Sequence, residues 1–240
     1  MNYLIIVAGG NGERMASKDN KVFLKINNKQ ILYWTLKIFE ENPVINAIII
    51  SARINDQKKI KNIIKKNHFK KVIAVIPAGK TRQEAVSDVL NWLKIKAKKE
   101  DLIGIHNAVN PFVQDKEIKD VFAAAREYRA ALLAHPARDT VKITNGEGDN
   151  VVNHTPIRKF CWYAQTPQVA FYGDLLKAFA IAQSKSFVGT DDTQLLEMIG
   201  IKPKIIPCSR YNFKITFPED LILARKLLPI FMKEDKQCAE

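Results

Sequence analysis

Three glycines in four positions, Gly9, Gly10 and Gly12, stand with Asn11 between Ala8 and a pair of cations, Arg14 and Lys21. Where no Cβ intervenes, backbone N–H groups can approach an anion closely. A guanidinium forks onto two phosphate oxygens, and an ammonium acts as a mobile point charge. Together they suit a polyphosphate whose charge rises as it reacts, which points to a nucleoside triphosphate. The spacing is that of neither familiar phosphate loop. Lys does not directly follow the last glycine, and Met15 stands where Gly-x-Gly-x-x-Gly needs its third glycine.

The elements that must position this stretch are legible around it. Leu4-Ile5-Ile6-Val7 is a short apolar run of the kind that makes a strand buried on both faces. Gln30–Glu41 has helical spacing and stops at Pro43, and Val44–Ser51 reads as a second buried strand. Asn55–Asn67 reads as a basic helix, Lys71–Ile76 as a strand, Thr81–Ala97 as a helix and Leu102–His106 as the fourth strand. Strand and helix alternate at a spacing that requires crossovers, hence an α/β fold with a mainly parallel sheet and helices on both faces. Ligands in such sheets bind beyond the carboxyl ends of the strands. The glycine stretch, Pro77–Arg82 and His106–Pro111 all fall there and predict one cleft.

The alternation fails between Pro136 and Phe171. Thr140–Ile143, the polar turn Asn145–Asn150, Val151-Val152 and later Phe160–Tyr163 read as a projecting hairpin, with exposed edges suited to pairing with a second subunit. Helix returns from Gly173, followed by a strand at Lys204–Pro207 and a terminal helix from Pro218. Residues 1–240 are read as one domain, with 136–171 as its β-arm insertion.

Composition narrows the classes. At 47% hydrophobic residues, 240 positions can bury the core of one large domain without a second. No apolar run approaches ~18 residues and no signal-like start is visible, so a cytoplasmic protein with no membrane partner is expected. Cys161, Cys208 and Cys238 are odd in number and widely spaced, which argues against disulfides and zinc. The net charge of +13 comes mostly from lysines at 58–71 and 94–99 on amphipathic helices. Without aromatic interleaving or a binding motif, these read as solvated faces and no nucleic-acid partner is expected. His106 reads as a structural residue at a strand end, and His68, His135 and His154 share no ligand spacing.

Seven segments in order resemble the cytidylyltransferases that activate sugar and polyol phosphates. They are Ala8–Met15 with Lys21, Gly79–Val86, His106–Phe112, Asp139–Lys142, Ala164–Gln168, Thr190–Asp192 and Phe213–Leu221. Within that group the chain resembles the 2-C-methyl-D-erythritol 4-phosphate cytidylyltransferase family most, with the ribitol-5-phosphate cytidylyltransferases as near relatives. The resemblance implies a Rossmann-like nucleotidyltransferase domain, homodimeric through its arm, that transfers CMP from CTP to a polyol phosphate with the help of Mg2+. It implies nucleotide contacts at Ala8, Gly9, Gly10, Asn11, Gly12, Gly79, Arg82 and Ala85, with Arg14 and Lys21 catalytic. It places the acceptor at Asn107, Ala108, Asn110, Thr140, Arg158, Thr190 and Lys214, with Thr140 and Arg158 supplied by the partner.

Four departures stand out. The family's acidic residue after His106, which helps hold the metal ion, is Asn107, and its arginine is Asn110. A serine near the cytosine is Ala85, and the usual Pro-Lys-Gln reads Asn20-Lys21-Val22. The expected acceptor is 2-C-methyl-D-erythritol 4-phosphate, with ribitol 5-phosphate or another sugar phosphate as the alternative. A catalytically weak nucleotide-binding protein is the rival from another class.

Overall fold

The computed structural model describes residues 1–10 and 20–237. Chain order begins with β1 (Asn2–Val7), a 3-10 turn at Lys21–Phe23, the small hairpin β2 (Lys25–Ile26) and β3 (Lys29–Gln30), and α1 (Ile31–Glu41). Next come β4 (Ala47–Ala52), α2 (Ile54–Lys66), β5 (Val72–Pro77), α3 (Arg82–Trp92), β6 (Leu102–Asn107), α4 (Asp115–Tyr128) and β7 (Ala130–Pro136). The arm hairpin β8 (Ile143–Thr144) and β9 (Val152–His154) precedes β10 (Trp162–Phe171), α5 (Tyr172–Ser184), α6 (Asp192–Glu197), β11 (Lys204–Pro207) and α7 (Pro218–Gln237).

Seven strands form one sheet in the order β11-β7-β10-β6-β1-β4-β5. Strand β10 runs antiparallel to both neighbours, whereas the other strand pairs of this sheet are parallel. Successive side chains of a strand face opposite ways, and β1 feeds two cores accordingly. Leu4 and Ile6 pack with α1, α2, α4 and α7, while Tyr3 and Ile5 pack with α3, α5 and α6. Leu4, Ile5 and Ile6 are fully buried, each such burial contributing roughly 1.5–3 kcal/mol. No helix among the described residues is long and apolar enough to cross a membrane.

The chain leaves β1 for β4 and β5 on one side and returns to β6 on the other. That reversal opens a crevice at the carboxyl ends of β1 and β6, where loops diverge. The arm needs one correction to the sequence reading. Asn145–Asn150 does separate two paired strands, but Trp162 and Tyr163 belong to β10 and pair with Pro136 and His135 of β7. They extend the central sheet toward the arm because β7 and β10 both continue past the body.

Candidate functional site

A cleft of about 330 Å³ occupies that crevice. It is lined by the ends of β1 and β6, the turn after β5, the start of α3, the 3-10 turn, and Lys214 from the β11–α7 connection. Lys21, Lys80, Arg82 and Lys214 supply four cations to it, and no carboxylate lines it among the described residues. A one-sign cleft with low-dielectric walls concentrates anions.

The glycine turn is set by its neighbours. Ala8 N–H donates to Ser51 O of β4 at 2.8 Å, and Ala78 N–H donates to Ala52 O at 2.9 Å, bringing the turns after β1 and β5 together. A Cβ on Gly9 would lie 2.8 Å from Ala78 Cβ, so this approach requires glycine. Among the described residues, nothing lies within 4 Å of where a Cβ on Gly10 would stand, so none of them closes that backbone to a ligand. Asn11, Gly12 and Arg14 lie outside the described residues.

Beyond β5, Thr81 caps α3 by accepting from Glu84 N–H at 3.1 Å. Gly79 N–H donates to Asp88 at 2.9 Å and Lys80 N–H to Glu84 at 2.8 Å, so this turn lines the cleft with its backbone donors already engaged. Arg82 donates to Asp192 Oδ2 at 2.6 Å. Burial opposes the guanidinium charge, but Asp192 and Asp191 together more than compensate and hold its pKa above normal. Ala85 closes the wall one turn along, nearly fully buried.

Lys21 leaves the 3-10 turn and donates to Ile215 O at 3.2 Å. Ile215 N–H in turn donates to Val109 O at 2.9 Å, joining the Lys214 segment to the loop after β6. The two lysines therefore reach one cleft from opposite ends of the sequence.

In that loop Asn107 faces the cleft, while Ala108 is buried beneath it, accepting from Thr35 Oγ1 at 2.9 Å. Asn110 is fully buried and lines no part of the cleft. Its Oδ1 accepts from Asn107 Nδ2 at 3.3 Å, and its Nδ2 donates to Asn212 Oδ1 at 3.3 Å. Asn212 Nδ2 closes the chain on Thr166 O at 2.9 Å. The two asparagines read separately in the sequence are thus parts of one neutral amide network.

His106 is structural, as expected. It is fully buried, its Nε2 shares a 2.9 Å hydrogen bond with Asn110 O, and burial pushes its pKa down to about 4. Asp191 caps α6, accepting from Gln194 N–H at 2.8 Å. Thr190 is exposed, bonds Gln194 Oε1 through both its N–H and its hydroxyl, and does not line the cleft. Thr140 and Arg158 are exposed on the arm and do not line the cleft. Arg158 donates there to Arg138 O at 3.2 Å.

Lys80, Thr81 and Val109 line the cleft within the strand-end loops expected there, whereas Val7, Asn20 and Val22 line it without a role assigned to them from the sequence. Asn20 carried a usable signal, since an asparagine ahead of a short helical turn is a preferred N-cap. Cys161 and Cys208 are free, and burial, with Glu117 adding to it, raises the Cys208 thiol pKa to about 12.

Residues 2–229 match the family model described as 2-C-methyl-D-erythritol 4-phosphate cytidylyltransferase. A protein of that name from Geobacter metallireducens is 35% identical over 227 residues, covering 94% of this chain and 97% of its own. The one from Clostridioides difficile is 36% identical over 236 residues, covering 98% and 97%. Among solved structures, the Francisella tularensis 2-C-methyl-D-erythritol 4-phosphate cytidylyltransferase superposes with a TM-score of 0.79 at 34% identity, covering 95% of this chain and 99% of that one. The 4-diphosphocytidyl-2C-methyl-D-erythritol synthase of Anaerococcus prevotii gives 0.81 at 27% identity, covering 95% and 96%.

Proposed function

Because the chain belongs to the 2-C-methyl-D-erythritol 4-phosphate cytidylyltransferase family, we infer that it transfers CMP from CTP to 2-C-methyl-D-erythritol 4-phosphate and releases pyrophosphate, in isoprenoid precursor synthesis. The observation that carries the reading on this chain is the cleft itself, where a glycine turn and four cations converge without a lining carboxylate among the described residues.

The reaction needs little proton chemistry. A phosphate monoester with a second pKa of about 6 is largely dianionic at neutral pH. One of its oxygens attacks the α-phosphorus of CTP, a new P–O bond forms, and the bond to the β-phosphate oxygen breaks. Pyrophosphate leaves with that electron pair. The protein must hold two mutually repelling anions in line and offset charge as it builds at the α-phosphate. In this proposal the Ala8–Gly10 backbone and Lys21 hold the triphosphate, with Arg14 beside them in the sequence. Gly79, Arg82 and Ala85 form the nucleoside wall, and Lys214 binds the acceptor phosphate.

Magnesium belongs to the proposal in a limited form. Among the described residues no group of three His, Cys, Asp or Glu forms a metal cage. Asn107 turns Nδ2 toward Asn110 and Thr166, at 3.3 and 3.5 Å, which leaves Oδ1 for the cleft. One neutral oxygen fits an ion that keeps its waters and shares phosphate oxygens with the nucleotide. Bound there, the ion would neutralise triphosphate charge.

A homodimer and a cytoplasmic setting complete the reading. Ile143, Val151, Val152, Ile157 and Phe160 are exposed apolar residues of the arm region, on the same segment as Thr140 and Arg158. A partner subunit covering them would bring those two side chains toward a cleft they do not reach at home.

The test is pyrophosphate release by purified protein with magnesium, crossing the four ribonucleoside triphosphates against methylerythritol phosphate, ribitol 5-phosphate and other sugar phosphates. Turnover is expected with CTP and methylerythritol phosphate. Release with ribitol 5-phosphate instead would reassign the acceptor, and silence with CTP still raising the melting temperature would leave a nucleotide-binding protein.

A further inference from the structure

Asn20 carries no role in the reading above, yet it joins two parts of the site. It is 2% exposed and borders the cleft. Its Nδ2 donates to Ala8 O at 3.0 Å and to Asp56 Oδ2 at 2.9 Å, and its Oδ1 accepts from Val22 N–H at 3.3 Å. Asp56 is itself nearly buried on the first turn of α2 and accepts from Arg53 Nε at 2.7 Å. Both hydrogens of the Asn20 amide group are therefore engaged inside the protein, and none is left to donate to a ligand.

The partners fall on either side of the ligand space. Ala8 opens the glycine turn, and Val22 is the central residue of the 3-10 turn that Lys21 begins. A single buried side chain thus sets how far the Lys21 turn stands from the glycine turn, and Asp56 anchors it to the body. Buried amides that satisfy three partners at once are costly to replace, because each partner loses its bond away from water. The φ of −59° at residue 20 is one a proline ring also holds, so proline imposes no new φ there.

We propose that Asn20 is a positioning residue for nucleotide binding, fixing Lys21 against the glycine turn so that both engage the same triphosphate. The proposal rests on the assignment of that cleft to CTP and of Lys21 to its phosphates.

The test is a double-mutant cycle read as the dissociation constant for CTP by titration, with no acceptor present and turnover not required. Asn20→Pro removes all three side-chain bonds, and Asn20→Ser keeps an acceptor for the Val22 N–H. With Lys21 present, Asn20→Pro is expected to weaken CTP about tenfold and Asn20→Ser by less, on the scale of one or two lost hydrogen bonds. In a Lys21→Ala background the Asn20→Pro change is expected to matter less than about threefold, because there is no ammonium left to position. An equal loss in both backgrounds would mean that Asn20 serves the glycine turn alone and would overturn the proposal, as would no loss in either. Should Asn20→Pro not fold, Asn20→Ser carries the same cycle. A Lys21→Ala protein that binds CTP and releases pyrophosphate as wild type does would instead remove the assignment of Lys21, a separate result.

Discussion

Asn107 and Asn110 show how a residue's neighbours change the meaning of its type. Read along the chain, each is a lost charge, and restoring Asp and Arg one at a time looks equivalent. The structure couples them, since Asn110 is fully buried and bonded to Asn107 at 3.3 Å. An arginine at 110 alone would carry a charge into a network of neutral amides, and an unpaired buried charge costs about 3–5 kcal/mol. Asn110→Arg is therefore expected to lower unfolding free energy by about 3 kcal/mol in urea denaturation. Asn107→Asp added to it should return most of that by supplying a partner. A single Asn110→Arg protein as stable as wild type would refute the coupling. This relation was not legible in the sequence. The three-residue spacing was visible, but not the burial of Asn110 or the arrival of Asn212 from the far end of the chain.

Strand β6 has its own signature in His106, which stacks edge-on under Phe39 of α1 with ring centroids 4.7 Å apart. Burial is the largest influence on its pKa and outweighs the hydrogen bond at Asn110, which favours the proton. The folded pKa of about 4 lies below the unfolded value of 6.5, so the unfolded state takes up the proton first. The contribution is fully present above pH 6.5 and is lost as pH falls toward 4, amounting to about 3 kcal/mol across that window. His106→Gln should be less stable at neutral pH yet show a flatter profile between these limits. An unchanged slope in urea titrations would assign the acid sensitivity elsewhere. Element by element, the first half of the fold was readable because β1, β4 and β6 are buried runs and its helices amphipathic. Strand β10 was not, since its first half, Trp162–Gln165, is largely exposed and its middle holds Pro167, so nothing in its pattern marks a central strand. The α4–β7 pair was passed over as well, although Ile118, Val121, Phe122 and Ala125 give α4 a buried face. The cleft was legible as three strand-end loops; the hydrogen bonds that tie Asn107 to Asn110 and Asn212 were not.

At the scale of the whole molecule, the proposed dimer makes a prediction that neither subunit makes alone. If Thr140 and Arg158 serve the partner's cleft while Lys21 serves its own, Lys21→Ala and Arg158→Ala inactivate different halves of one shared site. Each protein alone should be nearly inactive. Mixed and allowed to exchange, half the dimers become hybrid with one intact site of two, and about a quarter of wild-type pyrophosphate release should return. No recovery after verified exchange would mean that Arg158 and Lys21 act from the same subunit. The contact between Lys21 and Ile215 has a consequence for the order in which the molecule comes into being. The glycine turn leaves the ribosome early, but the carbonyl that steadies Lys21 and the neighbouring Lys214 emerge only after all seven strands of the sheet. The cleft is thus among the last features completed during synthesis. Chains cut short by premature termination or proteolysis before residue 214 would lack both Lys214 and the carbonyl on which Lys21 rests, so the acceptor end of the cleft exists only in a nearly full-length chain.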